Sequence, residues 1–141
     1  MSETRPLPIP DERSAPFWAA SAEHVLALAR CSRCGTFAHP PDVVCVVCGS
    51  NEPDFHFEPV DGRGEVCSWV VMRQSFLPGF DDDLPFVLVD VALDGHDDLR
   101  LIGRLLDGPD ATFARGSRVR VAFEDLAADV AVPAFQLEVT P

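Results

Sequence analysis

Two Cys-x-x-Cys-Gly units, Cys31-Ser-Arg-Cys34-Gly35 and Cys45-Val-Val-Cys48-Gly49, restrict this 141-residue chain more than any other feature. Each unit makes a tight turn that points two sulfurs at one centre, and its glycine permits the backbone conformation that follows the second sulfur. Two such knuckles supply four soft ligands in the tetrahedral arrangement that zinc accepts. The ten residues between Cys34 and Cys45 form a short spacer, yet long enough for a hairpin that returns the second knuckle to the first. Four unrelated buried thiols rarely fall into this paired spacing. A redox dithiol needs only one unit in a thioredoxin-like setting, which the sequence lacks. Iron in a rubredoxin-like site stays open as an alternative ranked below zinc. Four thiolates fill the coordination sphere, so the metal's expected role is structural. Its binding should supply most of the folding energy of a segment with few apolar residues. The fifth cysteine, Cys67, lies in an apolar run and reads as a small buried hydrophobe.

Around the knuckles the pattern changes twice. Residues 1–13 hold three prolines at alternating positions and read as an extended arm. Residues 14–30 read as a helix, with Ser14 as N-cap and Pro16 in the first turn. Trp18, Ala22, Val25 and Ala29 would share one stripe, with Phe17 and Leu28 beside it. Residues 31–54 form the ribbon. Beyond them the period becomes alternating: Val66–Met72, Phe86–Leu93, Leu99–Leu105, Arg118–Glu124, and Phe135, Leu137 and Val139. Five strands separated by Gly, Pro and Asp clusters within residues 55–141 favour an OB-like barrel over a larger sandwich. The expected fold is therefore mainly β: an N-terminal helix, a rubredoxin-like zinc ribbon, then a five-stranded OB-fold barrel.

Composition narrows the function. The formal net charge is −12, and all 11 cationic residues are Arg. Residues 61–141 carry 7 Arg against 15 acids, which opposes nucleic-acid binding. No apolar run approaches the roughly 20 residues needed to span a bilayer, and Met1–Pro10 lacks the apolar segment of a secretory signal. With an odd cysteine count, this points to a cytoplasmic protein without disulfides or membrane contact. His24, His39, His56 and His96 are scattered, and none has a Ser, Cys or carboxylate companion at a spacing that reads as a triad. His39 could pack against the metal site or bond a thiolate, and His56 should face solvent. Asp81-Asp82-Asp83 reads as a solvated loop tip before it reads as a cation site. There is no phosphate loop and no dinucleotide fingerprint. No self-sufficient active site is identifiable from these spacings, though distance along the chain does not by itself exclude a triad.

These residues form an ordered pattern: a Phe17-Trp18 helix, Arg30-Cys-Ser-Arg-Cys-Gly, His39-Pro-Pro, Cys45-Val-Val-Cys-Gly-Ser50, Gly62-Arg-Gly-Glu-Val, Pro78-Gly-Phe, Pro85-Phe, and a basic-and-Val strand near Gly116. The pattern resembles the acyl-CoA-associated zinc-ribbon/OB-fold family once labelled domain of unknown function 35, from Pro16 to Val139. The knuckles alone are generic to zinc ribbons, and the combination is more specific. The second knuckle departs from the family in reading Cys-Val-Val-Cys, where a proline commonly follows the first Cys; ligation should not suffer. Some relatives carry a fused hydratase-like domain that these residues do not include.

The resemblance implies a non-catalytic subunit of a thiolase-fold enzyme acting on CoA thioesters, a thiolase or a retro-aldolase that shortens steroid side chains. Such a subunit would join a hetero-oligomer around a partner dimer and complete its substrate channel. Arg63 and Arg73, near the ends of the long strand, are then candidates for CoA phosphates, each with the alternative of a surface Arg paired with a carboxylate. Phe76, Gly79 and Phe80, in the loop FLPGFDDDLPF, are candidates for an acyl channel or a partner contact, unless that loop caps its own barrel. Phe17, Trp18 and Val25 are candidates for the partner interface, unless the helix docks on its own domain. Arg-for-Lys usage and Ala/Asp richness reflect GC-biased coding, common where sterols are degraded. A nucleic-acid-binding ribbon/OB module, using Arg118 and Arg120 as a basic strand face, is the alternative. An enzyme relying on Cys67 or a His ranks last.

Overall fold

The computed structural model describes residues 4–96 and 98–138. The first three residues of the expected arm and Val139, assigned above to the last strand, lie outside them. One helix, α1 (Ala15–Ala22), precedes eight strands: β1 (Ala27–Arg30), β2 (Phe37–Ala38), β3 (His56–Pro59), β4 (Arg63–Met72), β5 (Phe86–Leu93), β6 (Arg100–Leu105), β7 (Arg118–Ala127) and β8 (Val130–Leu137).

The helix is half as long as its apolar stripe implied. It stops at Ala22 in a Schellman arrangement, in which the Val25 N–H bonds Ala20 O and the His24 N–H bonds Ser21 O, at 2.9 Å each. His24 takes the left-handed φ of +60°. Its ring lies 5.2 Å from that of Phe123, nearly parallel, and its Nε2 meets Asp125 at 2.7 Å. Ser14 stands at the N-cap without capping; it exchanges bonds with Asp11 instead, N–H to Oδ1 at 2.7 Å and Oγ from N–H at 3.0 Å.

Release of the chain after His24 frees Ala27–Arg30 to become the central strand of a three-stranded antiparallel sheet, β2-β1-β3. Ala27, Leu28 and Ala29 are buried on both faces. The divisions after residues 30 and 54 therefore cut through one sheet, because the ribbon borrows β1 and β3 from either side.

The other five strands close a barrel in the order β4-β5-β6-β8-β7, and β7 returns to β4. Alternate residues point inward: Val66, Val87, Val89, Val91, Leu101, Leu105, Val119 and Phe135 are buried. Gly64 allows β4 to approach β5, since a Cβ there would lie 2.3 Å from Ala92 O. Leu26, Leu28 and Phe17 belong to the same apolar cluster, so ribbon, helix and barrel share one core.

Cys67 is not the buried hydrophobe its neighbours implied. The β4–β5 register slips between Val66 and Ser68, which makes Cys67 the extra residue of a β-bulge, half-exposed and outside the barrel. None of the described helices is long and apolar enough to cross a membrane.

Candidate functional site

The two knuckles fold as near copies. Gly35 N–H bonds Cys31 O and Gly49 N–H bonds Cys45 O, both at 2.8 Å, with φ of +77° and +75° at the glycines. Cys31 N–H reaches Thr36 O at 2.9 Å, and Cys45 N–H reaches Ser50 O at 3.0 Å. These turns bring all four Sγ atoms within 4.8 Å of one another, with 3.9 Å between Cys31 and Cys48 and 3.7 Å between Cys34 and Cys45. A tetrahedron with zinc–sulfur bonds of about 2.3 Å has edges of about 3.8 Å, so the donor set fits.

The electrostatics fit as well. The Thr36 hydroxyl and amide pull Cys34 down to about 6. Backbone N–H groups of Cys48 and Val47 lower Cys45. The Ser50 amide also lowers Cys48, but burial and the neighbouring thiols overcome it and push Cys48 up to about 11. Four sulfurs this close need a cation before all can ionise. The ribbon is therefore a four-cysteine structural zinc site.

His39 takes no part in it. Its ring packs 5.2 Å from that of Phe17, it bonds no thiolate among the described residues, and burial lowers its pKa. Phe17 is itself 8% exposed and meets Trp18 edge-on at 4.9 Å, so it is a core residue of its own chain and cannot anchor a partner. Trp18 borders a cleft of about 360 Å³ between α1, the Pro40-Pro41 turn and β6, while Val25 sits exposed on the connection to β1.

A Ser–His–carboxylate line that sequence spacing concealed lies on the ribbon. Ser32 Oγ is 3.0 Å from His56 Nδ1, and His56 Nε2 is 2.8 Å from Glu58 Oε1. The Ser32 hydroxyl also donates to Asp54 O, so its proton is directed to the backbone rather than to the ring. His56 and Arg30 together hold Glu58 below its ordinary range, and Arg30 also donates to Gly35 O at 2.7 Å. The line ties the first knuckle to β3.

The five channel candidates do not converge. Arg63 begins β4 and Arg73 follows its end, about 33 Å of strand apart, so one phosphate group cannot engage both. Arg63 lies 3.7 Å from Asp61 and 3.4 Å from Glu138. Strand pairing sets Arg63 directly opposite Arg120, a neighbour no local pattern could reveal, and Arg120 makes no ion pair among the described residues. Arg118 is gripped by both oxygens of Asp94.

Phe80 and Gly79 are covered by the N-terminal arm. Arg5 stacks 4.6 Å over the Phe80 ring, which in turn packs on Phe86. Arg5 also bonds Asp83 and, at 3.2 Å, Glu124; Arg104 approaches the same two carboxylates at 3.4 Å. The Asp81-Asp82-Asp83 run therefore does not converge on a cation, because Asp83 turns inward while its neighbours stay exposed. Phe76, by contrast, is 92% exposed.

Comparison with known proteins agrees with this architecture. The rubredoxin-like zinc ribbon domain of ChsH2 matches residues 18–54, and the C-terminal OB-fold domain of ChsH2 matches residues 57–124. A chain of the Ltp2-ChsH2(DUF35) aldolase superposes with a TM-score of 0.79 at 26% identity, covering 94% of this chain and 99% of that one. A Sulfolobus solfataricus protein of the DUF35 family has the same fold, with a TM-score of 0.57 at 11% identity over 90% of this chain and 86% of its own. A Thermomonospora curvata protein described as a probable enoyl-CoA hydratase alpha subunit is 33% identical over 91 residues. That match takes in 63% of this chain and 27% of the relative, so the chain spans only about a quarter of it. With both domain models matched in order and the four cysteines gathered at one centre, the chain belongs to the ChsH2 zinc-ribbon/OB-fold family, the DUF35 proteins.

Proposed function

We propose that this chain is a non-catalytic, cytoplasmic subunit of a thiolase-fold enzyme acting on CoA thioesters, which stabilises its partner and completes the partner's substrate channel. The observation that carries the reading is the end-to-end likeness to a chain of the Ltp2-ChsH2(DUF35) aldolase. The related hydratase subunit points to the same thioester chemistry. The polar networks of this chain support an accessory role, since each is consumed in holding its own fold.

For the CoA phosphates we favour Arg63 with Arg120. The two lie opposite each other on paired strands, and although Asp61 and Glu138 approach Arg63, Arg120 has no carboxylate partner among the described residues and is left to bind an anion. Arg73 is the second candidate. A steroid-derived acyl group is the substrate class to test first, and the partner is expected as a dimer at the centre of a hetero-oligomer.

Co-expression with the thiolase-like protein encoded nearest to this chain should yield a stable complex whose thioester cleavage is lost when this chain is omitted. A partner fully active alone, or one that never co-purifies, overturns the reading.

A further inference from the structure

The loop between β4 and β5 exposes Phe76 and Leu77, at 92% and 57%, while the residues that follow them are packed against the N-terminal arm and β5. Phe80 is pinned between Arg5 and Phe86. Gly79 lies so close to the Arg5 backbone that no side chain fits between them. Asp83 is tied to Arg5 and Arg104, and Arg104 stacks in turn over Phe86 at 5.4 Å. Most of this quartet is removed from water: side-chain exposures are 16% for Arg5, 23% for Arg104, 19% for Glu124 and 36% for Asp83. Two large apolar side chains stand on a braced base, and none of the described residues covers them.

We infer that residues Phe76 and Leu77 form a docking tip that enters an apolar recess of the partner subunit, and that Arg5 is the positioning residue that holds the tip out. This rests on the partner reading above and adds the surface and the residue that sets it. Charge selects the occupant. A second copy, itself at −12, and an anionic bilayer are both repelled. Arg73 enters the loop, but the exposed Asp81 and Asp82 leave it, so the complementary recess is apolar with a cationic rim. The same two acids set the tip apart from the phosphates of CoA, which assigns it to protein rather than to cofactor.

Three full-length variants test the inference: Phe76→Ser with Leu77→Ser, Arg5→Ala, and Arg5→Lys. The probe is the thiolase-like protein encoded nearest to this chain, and the free chains are followed by amide exchange and thermal melting. The tip variant, altered only where side chains meet solvent, should melt like wild type and bind at least about 10-fold more weakly. Arg5→Ala should speed amide exchange at Asp83 and Leu84, whose N–H groups bond Phe80 O and Asp81 O, about 10-fold or more and weaken binding, and Arg5→Lys, which keeps charge without the planar fork, should restore only part of either. Equal affinity of the tip variant and wild type overturns the docking assignment. Unchanged exchange in Arg5→Ala overturns the brace, and this holds for the free chain whether or not a partner binds. If wild type binds no partner, the parent reading fails and the docking half falls with it. A wild-type dimer abolished by the tip variant, or tip-dependent binding to phosphatidylcholine vesicles, would overturn the assignment in favour of those occupants.

Discussion

Gly79 and Arg5 meet backbone to backbone: a Cβ on Gly79 would stand 2.4 Å from the Arg5 nitrogen and 2.7 Å from its Cα. Gly79 also holds a φ of +85°, which L side chains rarely adopt. Gly79→Ala should therefore displace the arm and strain the loop, costing about 1–3 kcal/mol. A melting point lower by roughly 3–10 °C, with a new protease cut within residues 4–13, is the expected result.

Metal removal should act beyond the knuckles. Elemental analysis should find one zinc per chain, and Cys34→Ser or Cys48→Ser should lower that content. Because Leu26 and Leu28 join the ribbon sheet to the barrel core, a chelator should lower the melting point of the whole chain rather than release an independent ribbon. Acidification works in the same direction, since protonated thiols no longer ligate.

Two phenylalanines separate burial from display. Phe135 is fully buried at the barrel centre, and Phe135→Ala should cost about 3–5 kcal/mol in denaturant unfolding. Phe76→Ala should leave the same curve within about 0.5 kcal/mol of wild type.

Asp83 gives the quartet a pH signature. Burial alone would raise its carboxyl, but the bonds from Arg5 and Arg104 outweigh burial and hold it below the ordinary aspartate range. A carboxyl lowered on folding stabilises the native state at pH values above its unfolded pKa of about 3.9. That contribution is lost as pH falls through the lower folded value. Asp83→Asn should melt below wild type at neutral pH, and the gap should close below about pH 4.

In the assembled complex, Arg63→Ala and Arg120→Ala together should raise KM for a CoA thioester about tenfold with kcat nearly retained, and either alone less. An unchanged KM would remove this pair from the cofactor's path.

What the residues reveal in one dimension follows the range of the forces involved. The knuckles are local geometry, so their spacing announces four ligands before any fold is known. The strands of the barrel alternate residue by residue, and Phe86–Leu93 begins and ends where its pattern does. The helix end was hidden because tertiary contacts set it: His24 turns left-handed to lie on Phe123, and Ala29 pairs with Phe57 instead of completing a helical turn. Cys67 looked buried because one bulge reverses the faces of β4. Ser32 with His56, and Arg63 with Arg120, become neighbours only through pairing between distant strands. The Arg5 clasp spans 78 residues to Asp83, and nothing near Arg5 in the chain foretells it.

The barrel closes through a short parallel seam, Arg104 opposite Ala134 and Leu105 opposite Phe135. During synthesis β6 keeps an open edge until β8 follows some thirty residues later. A chain interrupted before Phe135 would therefore leave the β6 edge unpaired, a ready template for pairing with another chain.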